Sequence, residues 1–343
     1  MRYNLLGRSG LRVSELGLGT MTFGEDWGWG ASKEESRKIF DAYARAGGNF
    51  VDTANRYTDG TSERFVGEFI APDRDYWVLA SKYTLLNREG DPNAAGNHRK
   101  NMVQSLESSL RRLGTDYLDL LWLHAWDYMT PVEEIMRGLD DLVRAGKVLY
   151  VGISDTPAWI VAQANTLAEL RGWTPFSALQ IEYSLVERTP ERELLPMARA
   201  LDLAVTPWGI LGSGVLTGKY NREDPPEEGR AKEGRGQDSR MLEIARVVSD
   251  VAGEVGCTPS QVAIAWILKQ PGVMVPLLGA RTVDQLQDNL RGLIIDLDED
   301  HLNRLDQATR VDLGFPHEFL AQDHIRNLTH AGTWDLIRNH RRQ

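Results

Sequence analysis

The sequence predicts an α/β protein of the (β/α)8 TIM-barrel class, and three observations carry that expectation. Short apolar runs rich in β-branched residues alternate with segments of helical period. There are eight such runs. Each is nearly continuously apolar, as strands buried on both faces are. Regular strand–helix alternation builds a parallel sheet. A chain of 343 residues suits one such barrel, and no low-complexity linker separates two cores, so residues 1–343 read as a single domain.

In chain order, a hairpin comes first, over residues 1–15. Tyr3–Leu6 and Leu11–Val13 are joined through Arg8-Ser9-Gly10 and placed to plug the barrel bottom. The eight strands follow at 16–20, 49–54, 77–82, 118–124, 148–154, 178–183, 204–208 and 273–279. Helices are expected at 32–46, 61–70, 98–112, 131–145, 157–170, 191–200, 239–254 and 282–290, with a further segment at 259–269 before the last strand. Ser32-Lys33-Glu34-Glu35 reads as a capping box. Thr130-Pro131 and Thr156-Pro157 each place an N-cap before a proline at the first helical position. Gly47-Gly48 and Gly146 stand where helices end. Residues 221–240 are charged and rich in Gly and Pro, a long loop after strand seven. Residues 316–343 form a polar C-terminal extension that can close over the mouth or meet a second copy in a homo-oligomer.

Composition narrows the function. The net charge of −10 disfavours nucleic acid as a partner, because an electrostatic binder needs a basic face. One cysteine, Cys257, excludes an internal disulfide and fits a reducing compartment. No run approaches the ~20 apolar residues of a membrane span, and Asp119 and His124 interrupt the richest one. A cytoplasmic protein without membrane insertion is expected.

In this fold the active site lies at the C-terminal strand ends. Strand two ends in Asp52, strand three in Lys82 and strand four in His124, and Tyr57 follows five residues after Asp52. Each alone has an ordinary explanation: a capping aspartate, a solvated lysine, a satisfied histidine, a packing tyrosine. Together they aim an acid, an ammonium, an imidazole and a phenol at one mouth. That set suits carbonyl reduction. The alkoxide made by hydride addition needs a proton, which a tyrosine can deliver. A nearby lysine lowers the phenol pKa, an aspartate keeps that lysine charged, and a histidine can orient the carbonyl oxygen. A Schiff-base lyase would need Lys82 with a depressed pKa, against which Asp52 pushes. No histidines pair at ligand spacing on the strand ends, so no metal site is expected.

Asp52-Thr53-Ala54-Asn55-Arg56-Tyr57, Ser81-Lys82 and Leu123-His124-Ala125-Trp126-Asp127 resemble signature regions of the aldo-keto reductase superfamily, from the hairpin to about residue 310. Within it the chain looks similar to the bacterial branch that includes the potassium-channel β-subunit-like reductases. The resemblance implies Tyr57 as proton donor, tuned by Lys82 and Asp52, with His124 orienting a small-molecule carbonyl substrate. It also implies a nicotinamide cofactor held without a Rossmann fingerprint. Ser154 and Gln180 would contact the carboxamide, Trp208 would stack on the ring, and Thr20 and Met21 would line that pocket beside Asp52. Leu211, Gly212 and Gly214 would admit the pyrophosphate, and Lys219 would neutralise it. Gly279, Arg281, Gln285, Asp288 and Asn289 would take the adenosine end. An arginine at a helix start suits a 2′-phosphate and hence NADPH.

Three positions depart from the family pattern: Asp155 for Asn, Thr58 for Gly, and Asp288 for Glu. Trp27, Trp29 and Trp126 suggest an apolar or aromatic substrate pocket. The competing reading is an NADPH-binding, redox-sensing regulatory subunit with little turnover.

Overall fold

The computed structural model describes residues 1–222 and 238–339. The chain divides into two units, residues 1–309 and 310–343. The first carries an eight-stranded parallel sheet ordered β10-β3-β4-β5-β6-β7-β8-β9. Its strands are β3 (Gly17–Gly19), β4 (Phe50–Asp52), β5 (Val78–Tyr83), β6 (Leu118–Leu123), β7 (Val148–Ser154), β8 (Ala178–Glu182), β9 (Ala204–Trp208) and β10 (Leu277–Leu278). Met274 bridges Val205 of β9 in parallel while Leu277 pairs with Gly17 of β3, so residues 274–278 close the ring. The expected last strand is thereby split. Pro276 has no N–H to give and can only accept, from Gly17 N at 2.9 Å.

Side chains alternate in and out along each strand. Leu18, Val51, Leu79, Leu121, Ile153, Leu179 and Val205 point outward into the layer shared with the helices. Phe50, Val78, Ala80, Leu120, Trp122, Ala178 and Ala204 fill the interior together with Leu6 and Val13. Those last two belong to the antiparallel hairpin β1 (Tyr3–Leu5) and β2 (Arg12–Ser14), paired Tyr3 with Ser14. The hairpin therefore seals the N-terminal end of the barrel. At Gly152 a Cβ would lie 2.3 Å from the Trp122 ring, so the indole crosses the interior only because β7 carries a glycine there.

The outer layer holds α1 (Lys33–Arg45), α2 (Thr61–Ile70), α3 (Arg99–Leu113), α4 (Val132–Arg144), α5 (Ala158–Arg171), α6 (Leu194–Ala200), α7 (Ser239–Val255), α8 (Pro259–Leu268), α9 (Val283–Leu290) and α10 (Glu299–Ala308). Several ends differ from expectation. Ser32 caps α1 by accepting from Glu35 N, but the Glu35 carboxylate does not return the bond. It accepts instead from Val283 N at the start of α9. Pro131 and Pro157 are themselves the N-cap residues of α4 and α5, because the preceding hydroxyls are engaged elsewhere: Thr130 donates to Asp127 at 2.7 Å and Thr156 to the Ser154 carbonyl at 2.7 Å. Helix α6 starts late, since Pro196 is tolerated only in a first turn. Thr258 and Gln261 complete a reciprocal capping box on α8.

Of the expected loop at 221–240, residues 223–237 lie outside the described residues. In the second unit, α11 (His317–Ala321) and α12 (Asp323–Thr329) are short helices. Its described part also holds an edge-on His330–Trp334 contact at 4.4 Å. No helix of the described residues is long and apolar enough to cross a membrane.

Candidate active site

The C-terminal end of the barrel collects the inward residues that follow the apolar interior. Asp52 faces Ala80 in register, Lys82 faces Trp122, and Gln180 lies between Ser154 and Thr206. All four of Asp52, Lys82, Ser154 and Gln180 are buried. Removing an ion pair from water costs several kcal/mol unless its remaining valences are filled, and here they are. Lys82 Nζ donates to Asp52 Oδ1, to the Thr53 carbonyl at 2.9 Å and to the Tyr57 hydroxyl at 3.0 Å. An ammonium has three N–H groups, so Lys82 has none left over. Asp52 Oδ2 accepts from Gln180 Nε2 at 3.1 Å.

Tyr57 reaches this lysine because the chain reverses sharply after β4. Thr58, Asp59 and Gly60 have φ of 44°, 52° and 87°, three successive left-handed residues ahead of α2. For threonine that backbone is strained. Two hydrogen bonds hold it: the Thr58 hydroxyl donates to the Phe23 carbonyl at 2.7 Å and accepts from Ser62 N at 3.1 Å. The departure from glycine at this position thus brings its own support. It also ties the Tyr57 turn to the loop after β3. That loop carries Trp27 and Trp29, whose rings lie 5.8 Å apart, with the Arg56 guanidinium 5.8 Å over Trp27.

His124 sits edge-on to Tyr57, ring centroids 6.0 Å apart. Its backbone N–H is shared between the Tyr83 carbonyl at 3.2 Å and the Thr84 hydroxyl at 3.3 Å. Thr84 has φ of 103° and donates in turn to Asn97. This support of His124 was not legible in the sequence, where Thr84 is one more polar residue after a strand. His124 Nδ1 is buried and without a partner.

Burial pushes the Tyr57 phenol above its ordinary value; Lys82 pulls it down and Asp52 pushes it up again. The expected lowering by lysine is therefore present but outweighed, and the phenol keeps its proton. Burial works against the Lys82 charge, yet Asp52 and Tyr57 overcome it and hold Lys82 above the ordinary lysine value. A Schiff-base lysine needs the opposite. Burial, reinforced by Lys82, drives His124 well below its usual range, so its imidazole is neutral.

Around this centre, Ser154 Oγ is buried and has no partner. Trp208, at the end of β9, gives its indole N–H to Asp155 Oδ1 at 3.2 Å. The next segment passes through Leu211, Gly212 (φ 55°), Ser213 (φ 58°) and Gly214 (φ 94°). A Cβ on Gly214 would stand 3.2 Å from Lys219 Nζ, so the missing side chain leaves backbone and ammonium side by side. That pairing and the orphan Ser154 hydroxyl are features a phosphate-bearing nicotinamide nucleotide fits.

Other candidates have settled partners. The Thr20 hydroxyl donates to the Asp52 carbonyl at 3.0 Å and meets Ser62 at 2.8 Å, inside the wall, while Met21 is half-buried. Gly279 and Arg281 are exposed beyond β10, and Gln285 turns its amide oxygen back to Arg281 N at 2.9 Å. Asp288 accepts from Thr258 at 2.9 Å and Gln261 at 2.7 Å, which binds α9 to the start of α8. Asn289 is buried, and Trp126 is half-buried with its backbone N–H donating to the Asp155 carbonyl at 3.4 Å. Among the described residues no three His, Cys, Asp or Glu side chains gather as a metal site.

Comparison with known proteins agrees with this geometry. Residues 15–310 match the aldo/keto reductase family. A norsolorinic acid reductase of Aspergillus flavus is 39% identical, over 98% of this chain and 89% of its own. An aryl-alcohol dehydrogenase [NADP(+)] of Phanerodontia chrysosporium is 37% identical, over 95% of this chain and 91% of its own. Both relatives are fungal. With a parallel barrel, an Asp–Lys–Tyr–His mouth and a match across most of its length, the chain belongs to the aldo/keto reductase family of oxidoreductases.

Proposed function

We propose that the protein reduces aldehydes or ketones to alcohols with NADPH, by direct hydride transfer, with Tyr57 as the proton donor. One observation carries this reading. Lys82 spends an N–H on the Tyr57 oxygen, so the phenol accepts there and its own proton is left for an oxygen in the mouth. Lys82, kept charged by Asp52, sets an ammonium beside the phenolate that forms. His124, neutral, offers an imidazole N–H to the carbonyl oxygen. When bound, the dihydronicotinamide supplies the hydride. Ser154, Gln180 and Trp208 would hold its ring, with Thr20, Met21 and Asp52 at its side. Leu211, Gly212, Gly214 and Lys219 would hold the pyrophosphate. Gly279, Arg281, Gln285 and Asn289 would face the adenosine end, Arg281 the 2′-phosphate. Asp288 would stand at the same end, its carboxylate held by Thr258 and Gln261. The NADP(+) in the name of one relative supports this cofactor.

Trp27, Trp29 and Trp126 favour small aromatic carbonyls as substrates, in line with the aryl-alcohol name of that relative. A cytoplasmic enzyme acting as one barrel domain fits this reading. The narrower placement beside the channel β-subunit-like branch of bacteria draws no support from the fungal names.

The test follows NADPH consumption with 4-nitrobenzaldehyde and related aldehydes. Tyr57→Phe should lose at least about 100-fold in turnover, the usual contribution of a positioned acid, while NADPH still quenches tryptophan fluorescence. Retained turnover would remove the proton-donor role. Tight NADPH binding without turnover in the unaltered protein would turn the reading to a regulatory subunit.

A further inference from the structure

Asp155 follows β7 in the left-handed region, φ 39°. Aspartate tolerates this backbone better than most residues, but it still costs free energy. The residue is pinned from both sides: its N–H donates to the Gln180 carbonyl at 3.2 Å and its own carbonyl accepts from Trp126 N at 3.4 Å. With its backbone fixed between β8 and the β6 exit, its carboxylate reaches across to the indole N–H of Trp208, 53 residues on in the chain. A carboxylate only accepts. It therefore specifies which edge of the indole faces it, whereas an amide could turn either of its ends to the ring.

We propose that Asp155 is a positioning residue: its carboxylate holds the Trp208 indole in the orientation that receives the nicotinamide nucleotide, and loss of that negative charge loosens the nucleotide. This rests on the reading of Trp208 as part of the nucleotide site. Desolvation pushes the Asp155 carboxyl up to about 6, with the Trp208 hydrogen bond and Lys82 pulling it down and Glu182 pushing it up. Tyr57 also feels its charge, and Glu182 and Glu187 line the same open pocket as Asp155 and Trp208. The clasp is thus charged above about pH 6 and neutral below it.

The test compares the unaltered protein with Asp155→Asn, which accepts the same backbone but does not titrate. First, the Trp208 indole N–H resonance, assigned with Trp208→Phe, is followed against pH without nucleotide. It should move with a midpoint near about 6 in the unaltered protein and stay still in Asp155→Asn. Second, NADP+ affinity is measured by calorimetry at low and neutral pH. The nucleotide's own phosphate titrates in this range, and the comparison cancels it. From low to neutral pH the unaltered protein should gain about fivefold more affinity than the variant, about 1 kcal/mol. An indole that titrates equally in Asp155→Asn, or equal pH dependence of affinity in both proteins, would overturn the proposal. Undiminished NADP+ affinity in Trp208→Phe would instead overturn the placement of the nucleotide against Trp208, and the proposal with it.

Discussion

At the scale of single residues, the site depends on groups whose local cost is offset nearby. Lys82 is buried with all three of its hydrogen bonds made, and Thr58 holds a left-handed turn with two. Asp155 is one of the exceptions, since its desolvation is only partly compensated. A carboxyl whose folded pKa is raised from 3.8 to about 6 binds more protons folded than unfolded between those values. Stability drawn from it is present at acid pH and lost as pH rises through that window. Asp155→Asn should therefore melt above the unaltered protein at pH 8, with the difference closing at pH 4; a constant difference across pH would show that the charge is not its source. The sequence marked Asp155 as a departure from the family pattern. Its partner was hidden, because nothing local links residue 155 to residue 208.

At the scale of elements, polar side chains buried between strands and helices set how each helix sits. Glu63 of α2 is fully buried; it accepts from Ser81 of β5 at 2.6 Å and from Arg112 of α3 at 2.5 Å. Removing it strands both donors, so Glu63→Ala should cost about 3 kcal/mol in urea unfolding; a loss under about 1 kcal/mol would mean that Arg112 is rehydrated at little cost. Helix and strand positions were mostly legible from apolar spacing, because burial on one stripe or both faces leaves a period in the sequence. What spacing does not carry is where a polar side chain goes. Glu35 looks like half of a capping box and serves α9 instead; Asp288, expected at the adenosine end, also accepts from the start of α8. Asp52, Lys82 and His124 come together for the opposite reason: parallel strands in register bring their ends to one place whatever lies between, and Tyr57 joins them through the turn after β4.

At the scale of the whole barrel, the interior is packed from the hairpin upward. Leu6 is fully buried among interior residues from six strands of the ring. Leu6→Ala leaves a cavity and should cost about 3 kcal/mol, read as a lower melting temperature with turnover intact, because the reacting groups stand at the other end. A loss of turnover equal to the loss of folded protein would show instead that the plug sets the mouth.

The closing seam has a consequence for how the chain reaches this state. Leu277 and Gly17 are partners, and β4 through β9 lie between them in the sequence. Among the described residues this is the strand pairing with the longest separation in sequence, so it forms last and slowly, and Pro276 removes a bond from the strand that must make it. A chain emerging from the ribosome can pair β3 through β9 in order, but it waits with an open edge until residue 277 has been made. Its exposure to misassembly is set by the last strand of the barrel.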